Sequence, residues 1–456
     1  MRGVSLANGT ARIDVDVSQL IDTRPLVPLQ KLIIVLCGLV VLLDGYDIQT
    51  MALAVPSIAA EWKIASSTFG LALSASLIGL MGGAGLIAPL GDRFGRRPLL
   101  VGGMALVGLA SLCTAYSTLP AHLVAWRFLT GLGLGASIPN GTALTSEYMP
   151  ARRRAALVTL MFCNMAVGAF AAGFTAPWIV SRWGWQGIFI VGGTLPLFVS
   201  LVLFAWAPES VRFLLARNPS DPRIAKLLAR IAPDVTAANF RSENEPARRR
   251  HSILALFLPE YRVRTVLVWS TYVLNLFVLY VLVSWIPTLL RSAGWAAANA
   301  SRGVGVLNAG GVIAGLVISG FVDRNKALPA MLAAYLGVGL SLALFSALPS
   351  GVVWWLLLLI IGGGTSGAQM TLNALAASIY PPAIRATGVG WATSIGRFGA
   401  AFAPLAAAVA VGRQFAPQTV LAMLIVPVLG CAISVTLLMS AIRASRGMPS
   451  AAPEYR

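Results

Sequence analysis

The sequence predicts an all-α integral membrane protein with twelve transmembrane helices in two six-helix, pseudo-symmetric bundles. Three observations carry this. Of 456 residues, 57% are hydrophobic and 11% charged, with a mean hydropathy of +0.79, whereas soluble domains carry about 25% charged residues. Apolar runs of helical length recur along the whole chain. Two short motifs recur at an offset of 231–232 residues.

Charges, prolines and turn residues bound the runs. The first, 32–58, follows Pro28 and Lys31 and stops before Glu61 and Lys63. It is too long and wrongly flanked for a cleaved signal peptide. Run 68–90 ends at Gly91-Asp92, 99–117 follows Pro98, and 122–145 lies between Pro120 and Glu147. Run 155–180 sits between Arg154 and Arg182, and 187–207 ends at Pro208-Glu209. The second set is 266–290, 303–322, 328–348, 352–378, 386–411 and 419–442. About 20 apolar residues cross a hydrocarbon layer of about 30 Å. The chain thus divides into a polar, poorly ordered tail (1–31), a bundle (32–207), a polar central loop (208–265), a second bundle (266–442) and a tail (443–456).

Charge sets the orientation. Of 34 Lys and Arg residues, 27 fall on the side of the tails and central loop, five on the other, and Arg127 and Arg397 lie inside runs. The positive-inside rule places both termini in the cytoplasm, with the chain in a bacterial-type inner membrane. The net charge of +18 is then a topology signal, not a nucleic-acid footprint. Membrane lipid is the expected neighbour, and no feature calls for an oligomer.

The repeat is specific. Asp92-Arg93 precedes Pro98 as Asp323-Arg324 precedes Pro329, an offset of 231. "SEYMPARRRA" from Ser146 pairs with "SIYPPAIRAT" from Ser378 at 232, aligning Tyr148 with Tyr380 and Arg153 with Arg385. Two parallel bundles of this kind enclose a midplane site and rock about it.

At these residues the chain resembles the major facilitator superfamily. "GDRFGRRP" is similar to its loop Gly-x-x-x-Asp-Arg-x-Gly-Arg-Arg, with Ala88 at the leading glycine. "DGYD", Asp44 to Asp47, resembles the Asp-Gly-x-Asp motif of the aromatic acid:H+ symporter family; "PESVRFL" is similar to sequences in that family and in its sugar-porter relatives, and "IRATGVGWATSIGRFGA" resembles the aromatic-acid group. The resemblance implies proton-linked import of benzoate-, hydroxybenzoate-, phenylpropionate- or muconate-like anions. It also implies that charges at the cytoplasmic ends gate the inner side: Asp92, Arg93, Arg96, Arg97, Glu147 and Arg153, with Asp323, Arg324 and Arg385 in the second half.

The intramembrane charges supply the chemistry. Asp44 lies thirteen residues past Lys31, roughly 20 Å along a helix at about 1.5 Å per residue. A carboxylate at such depth costs about 2.5–3.5 kcal/mol. Asp44 and Asp47, at i and i+3, share one helix face. Two acids so placed resist double ionisation and titrate as a unit, which suits proton coupling; pairing with an intramembrane arginine is the alternative. Gly45 between them allows local bending or close approach of substrate. Guanidinium holds carboxylate bidentately. Arg397 is assigned to the substrate carboxylate, and Arg127 either to an aspartate or to substrate. Asn275, 231 residues past Asp44, is a candidate substrate hydrogen-bonder, and Tyr280, Gln369, Asn373 and Trp391 are candidate cavity residues.

No enzyme is expected. His122 and His251 are the only two histidines, no His/Cys cluster suits a metal, and no P-loop supports ATP drive. The four cysteines, Cys37, Cys113, Cys163 and Cys431, read as packing residues. No cofactor is expected beyond protons as the coupling ion, with a small organic acid as substrate. A porter for a sugar or another organic anion, and a sensor without flux, remain the alternatives.

Overall fold

Each predicted apolar run folds as helix, because lipid offers no partner for backbone N–H and C=O groups and a helix satisfies them within one segment. The computed structural model describes residues 13–219, 221–232, 238–241, 253–322, 327–348 and 351–446. In chain order the elements are β1 (Ile13–Asp16), α1 (Val17–Asp22), α2 (Pro28–Trp62), α3 (Gly70–Gly82), α4 (Gly91–Phe94), α5 (Arg96–Ala115), α6 (Pro120–Tyr148), α7 (Ala151–Trp206), α8 (Val211–Arg217) and α9 (Pro222–Ala229). The second half holds β2 (Ala238–Arg241), α10 (Arg262–Ser292), α11 (Ala297–Val322), α12 (Ala327–Ala347), α13 (Val352–Ile379), α14 (Pro382–Gly412), α15 (Pro417–Met423) and α16 (Ile425–Arg446).

Among the described residues, nine helical segments are long and apolar enough to cross a membrane. Two more, α6 with 29 residues and α11 with 26, have spanning length. Helix α7, 56 residues long, contains both the fifth and sixth runs; it breaks only at Trp183 and Gly184, the latter at φ +63°. The second run is segmented. A π turn (Gly83–Ile87) and a 3-10 turn (Ala88–Leu90) join α3 to α4. Pro89 cannot donate to the helical ladder there. Asn140 Nδ2 of α6 donates to the Ala88 carbonyl at 3.2 Å, which also accepts from the Gly91 N–H.

The described parts of the first tail and of the central loop contain regular elements. Strand β1 pairs in parallel with β2. Val17, Leu20 and Ile21 of α1 are buried with Leu214, Leu215, Ile224 and Leu228 of α8 and α9. Asp22 Oδ1 accepts from the Ala151 N–H at 2.6 Å, at the start of α7. Few apolar residues suffice here, because they are spaced to face one small cluster. Farther along, Leu256 packs with Tyr380 and Ile384 of the second bundle.

The repeat is visible as equivalent helix starts. Pro150 precedes α7 and Pro381 precedes α14. Arg154 Nε donates to the Met149 carbonyl and Arg385 Nε to the Tyr380 carbonyl, both at 3.4 Å. The helix register is therefore 231, the same as for the aspartates. The counterpart of Arg385 is Arg154 and not Arg153, the partner that aligning the tyrosines gives. Arg153 is exposed.

The end carrying the 2–3 and 4–5 loops is the basic end. At the opposite end the two halves share one apolar core, in which Met51 to Ala59 of α2 meet Val278 to Leu290 of α10 and Ala403 to Ala408 of α14. Contact there is close. A Cβ on Gly70 would stand 2.4 Å from Ala408 Cβ, and one on Gly173 would stand 2.7 Å from the Gly305 amide. Toward the basic end each half has its own cluster.

Gly45 admits a helix backbone, not substrate. A Cβ there would lie 1.9 Å from the Met165 carbonyl oxygen of α7, and one on Gly168 would lie 1.9 Å from the Leu42 carbonyl oxygen. Backbone cannot swing aside as a side chain does, so α2 and α7 must separate to accept a methyl group. Gly45→Ala is expected to destabilise the protein by about 1–3 kcal/mol or more, read as thermal unfolding in detergent. Gly102→Ala, with nothing within 4 Å, is the neutral comparison; equal stability of the two variants would contradict this packing.

Candidate functional site

The two aspartates of α2 share a face but have different partners. Asp47 is 1% and Arg127 2% exposed. Arg127 of α6 grips Asp47 with both arms, Nη1 to Oδ1 at 2.7 Å and Nη2 to Oδ2 at 2.9 Å. Nη2 also donates to the Asp47 carbonyl at 3.2 Å, and Nη1 to Thr50 Oγ1 at 3.3 Å. Thr50 in turn donates to the Asp47 carbonyl at 2.7 Å. Of the roles open to Arg127, this geometry occupies it as the partner of Asp47. Both of its Nη groups are taken up by Asp47 and Thr50, and only Nε is without a partner among the described residues.

Asp44 is buried too, at 4% exposure, and its Oδ1 has no hydrogen-bond partner among the described residues. Its electrostatic neighbours besides Asp47 come from the other bundle. Arg397 of α14 acts on it, and both Asp44 and Arg397 act on Tyr280 of α10. Arg397 is half-buried and forms no ion pair within 4 Å among the described residues. Its depth is set by its flanks. A Cβ on Gly396 would touch Leu276 Cδ1 at 2.9 Å and Tyr272 Cβ at 3.1 Å, and one on Gly399 would meet the Val273 carbonyl at 2.1 Å. Those contacts seat α14 flush on α10, with Arg397 at the level of Tyr272–Leu276. Among the described residues, a buried acid whose Oδ1 has no hydrogen-bond partner thus lies within electrostatic reach of an arginine in the other half that makes no ion pair within 4 Å.

The amides on the second half form a fixed set. Asn275 Nδ2 donates to Gln369 Oε1 at 2.9 Å and to the Thr365 carbonyl at 3.2 Å. Tyr272 donates to Asn373 Oδ1 at 2.8 Å. Trp391 stands apart from this set. It stacks on Trp269 with centroids 6.4 Å apart, and Trp269 meets Phe257 edge-on at 5.4 Å. That aromatic row runs to the turn Ile253–Phe257, with one face of Trp391 toward Trp269 and the residue 41% exposed.

Of the charges at the basic end, Glu147 is the buried hub, its side chain 6% exposed and 2.8 Å from Arg96. Ser210 donates to its other oxygen. Asp92 approaches Arg96 at 3.5 Å, but with its side chain 81% exposed. Arg93 lies over the Phe94 ring, and Arg97 donates to the Phe204 carbonyl. The sequence reading omitted Glu209 from the charged set. Its Oε1 accepts from the N–H groups of Arg96 (2.9 Å), Arg97 (3.2 Å) and Ser210 (2.8 Å). A carboxylate at the start of α5 satisfies orphan N–H groups and the helix dipole. Its signal was the acid of "PESVRFL" directly after the sixth run. The Tyr148 hydroxyl donates to the Glu209 carbonyl at 2.6 Å. These contacts tie helices of the first half to one another. Asp323 and Arg324 lie outside the described residues.

Comparison with known proteins gives four findings. A sequence profile described as Major Facilitator Superfamily matches residues 37–404. The chain is 38% identical to the 4-hydroxybenzoate transporter PcaK of Acinetobacter baylyi, covering 93% of this chain and 94% of that one. It is 36% identical to the gallate transporter of Pseudomonas putida, covering 86% and 88%. A solved bacterial homolog to the human lysosomal transporter Spinster, in an inward-facing and occupied conformation, superposes with a TM-score of 0.70 at 16% identity, covering 94% of this chain and all of that one.

Proposed function

This chain belongs to the major facilitator superfamily, and from that premise we propose that it is a proton-coupled symporter importing an aromatic acid across the inner membrane. It is a transport protein and not an enzyme, as its family and relatives are. The relatives' substrates, 4-hydroxybenzoate and gallate, share a carboxylate on a flat hydroxylated ring. Arg397 offers such an anion a bidentate partner at the midplane.

What supports the coupling is the burial of Asp44 with its Oδ1 unpartnered among the described residues, within electrostatic reach of Arg397 of the other half. While Asp44 is ionised it is the counter-ion of Arg397. A proton on Asp44 removes that negative charge, and the substrate carboxylate replaces it beside the guanidinium. Each cargo therefore favours the other, and the occluded site holds little net charge, which lowers the cost of its desolvation. The halves then rock about this level. Both termini are taken as cytoplasmic from the basic bias. Separate apolar clusters at the basic end, with one shared core at the other, fit a state open to the cytoplasm. Protons are the only coupling ion required, and one chain contains the whole site.

Proteoliposomes loaded at high internal pH are expected to accumulate labelled 4-hydroxybenzoate, and to stop when the pH gradient is collapsed. Arg397→Lys is expected to raise the half-saturation concentration roughly tenfold or more, since one charge-assisted hydrogen bond contributes about 1.5–3 kcal/mol. Unchanged affinity at equal expression would remove Arg397 from the site.

A further inference from the structure

Resting on the aromatic-acid reading, we propose that Asn275 and Gln369 form an amide couple that reads a ring hydroxyl and so makes the transporter prefer hydroxylated aromatic acids over unsubstituted ones. The orientation of both amides follows from one contact. The Thr365 carbonyl, 3.2 Å from Asn275 Nδ2, can only accept, so nitrogen stands there. The second Nδ2 hydrogen goes to Gln369 at 2.9 Å, which must present Oε1. Two groups remain. Asn275 is 1% exposed, and its Oδ1 has no donor among the described residues. Gln369 Nε2 donates to no acceptor among them.

An unused acceptor next to an unused donor matches one chemical group. A phenolic hydroxyl both donates and accepts, so it can give its proton to Asn275 Oδ1 and receive one from Gln369 Nε2. A carboxylate only accepts and would be repelled by the buried Oδ1. A bare C–H edge would leave both amide atoms unpaired. Sites that hydrogen-bond a substrate hydroxyl reject the analogue lacking it far more strongly than apolar pockets reject an extra one. The couple also sits at a suitable level. Asn275 is on α10 within the Tyr272–Leu276 stretch against which Gly396 packs, one residue from Arg397. The carboxylate at Arg397 and the hydroxyl at the amides would define the ring's orientation from two ends.

The test is a ratio. Half-saturation constants for 4-hydroxybenzoate and benzoate are measured in proteoliposomes for wild type, Asn275→Leu and Gln369→Met. Wild type is expected to favour 4-hydroxybenzoate. Asn275→Leu should cut that preference about tenfold, the equivalent of about 1.4 kcal/mol, and Gln369→Met should cut it in the same direction. If Asn275→Leu does not fold, Gln369→Met decides alone. A wild type without preference, or variants that weaken both acids in parallel, overturns the proposal while leaving symport intact. A wild type that accumulates neither acid under a pH gradient overturns the symport reading and this proposal together.

Discussion

Asp44→Asn is expected to abolish accumulation driven by a pH gradient, reducing it to background. That is a loss of roughly a hundredfold or more, equivalent to about 2.7 kcal/mol. Asparagine has the shape of a protonated aspartate but cannot release a proton. The variant should therefore still exchange labelled for unlabelled substrate across the membrane, at reduced rate, while concentrating nothing. The prediction follows from burial. Asp44 is 4% exposed and its Oδ1 lacks a partner among the described residues, so no hydrogen bond to that oxygen offsets the cost of burying its charge. The charge that acts on it from across the interface is Arg397. Uptake against a gradient by Asp44→Asn, at more than a few per cent of wild type, would transfer the proton role elsewhere. Substrate counterflow measured in the same vesicles separates lost coupling from lost folding.

Breaking the Asp47–Arg127 pair should act through stability instead. Arg127→Met leaves a carboxylate buried without its two guanidinium bonds, and Asp47→Leu leaves the cation. Either single change is expected to cost about 3–5 kcal/mol, whereas the double change recovers most of it, because a well-packed apolar pair avoids the desolvation penalty of both charges. Thermal unfolding of the four proteins in one detergent forms a double-mutant cycle. Additive losses would mean that the two residues do not interact. If the double variant is stable and still couples uptake to protons, the pair is a helix clamp. If it is stable yet uncoupled, Asp47 takes part in proton transfer with Asp44.

These two experiments separate residues that the sequence joins. Spacing at i and i+3 correctly puts both acids on one side of α2, since the period of a helix is a local property. It cannot say which acid meets which arginine. Asp47 and Arg127 are 80 residues apart and meet only because α2 and α6 pack side by side. Asp44 comes within electrostatic reach of Arg397 only because the two halves pack together. Trp391 illustrates the same limit: the sequence gives its type and depth, whereas its stacking on Trp269, 122 residues earlier in the chain, is a fact of helix packing. Gly45 looked like room for substrate and is instead occupied by the backbone of α7.

The sequence by itself determined the membrane class, the spans, the basic bias, the superfamily and the short list of charged residues. The class, the spans and the basic bias are written in composition and local periodicity, which lipid enforces, whereas the superfamily is read from the resemblance of short motifs such as "GDRFGRRP" and "DGYD". Only the tertiary structure decided the division of labour between the acids, the place of Glu209 beneath α5, the repeat register of 231, and the unpaired amide atoms of Asn275 and Gln369. Those depend on which helices touch and at what height, a geometry set by small residues at helix crossings and invisible to any single segment.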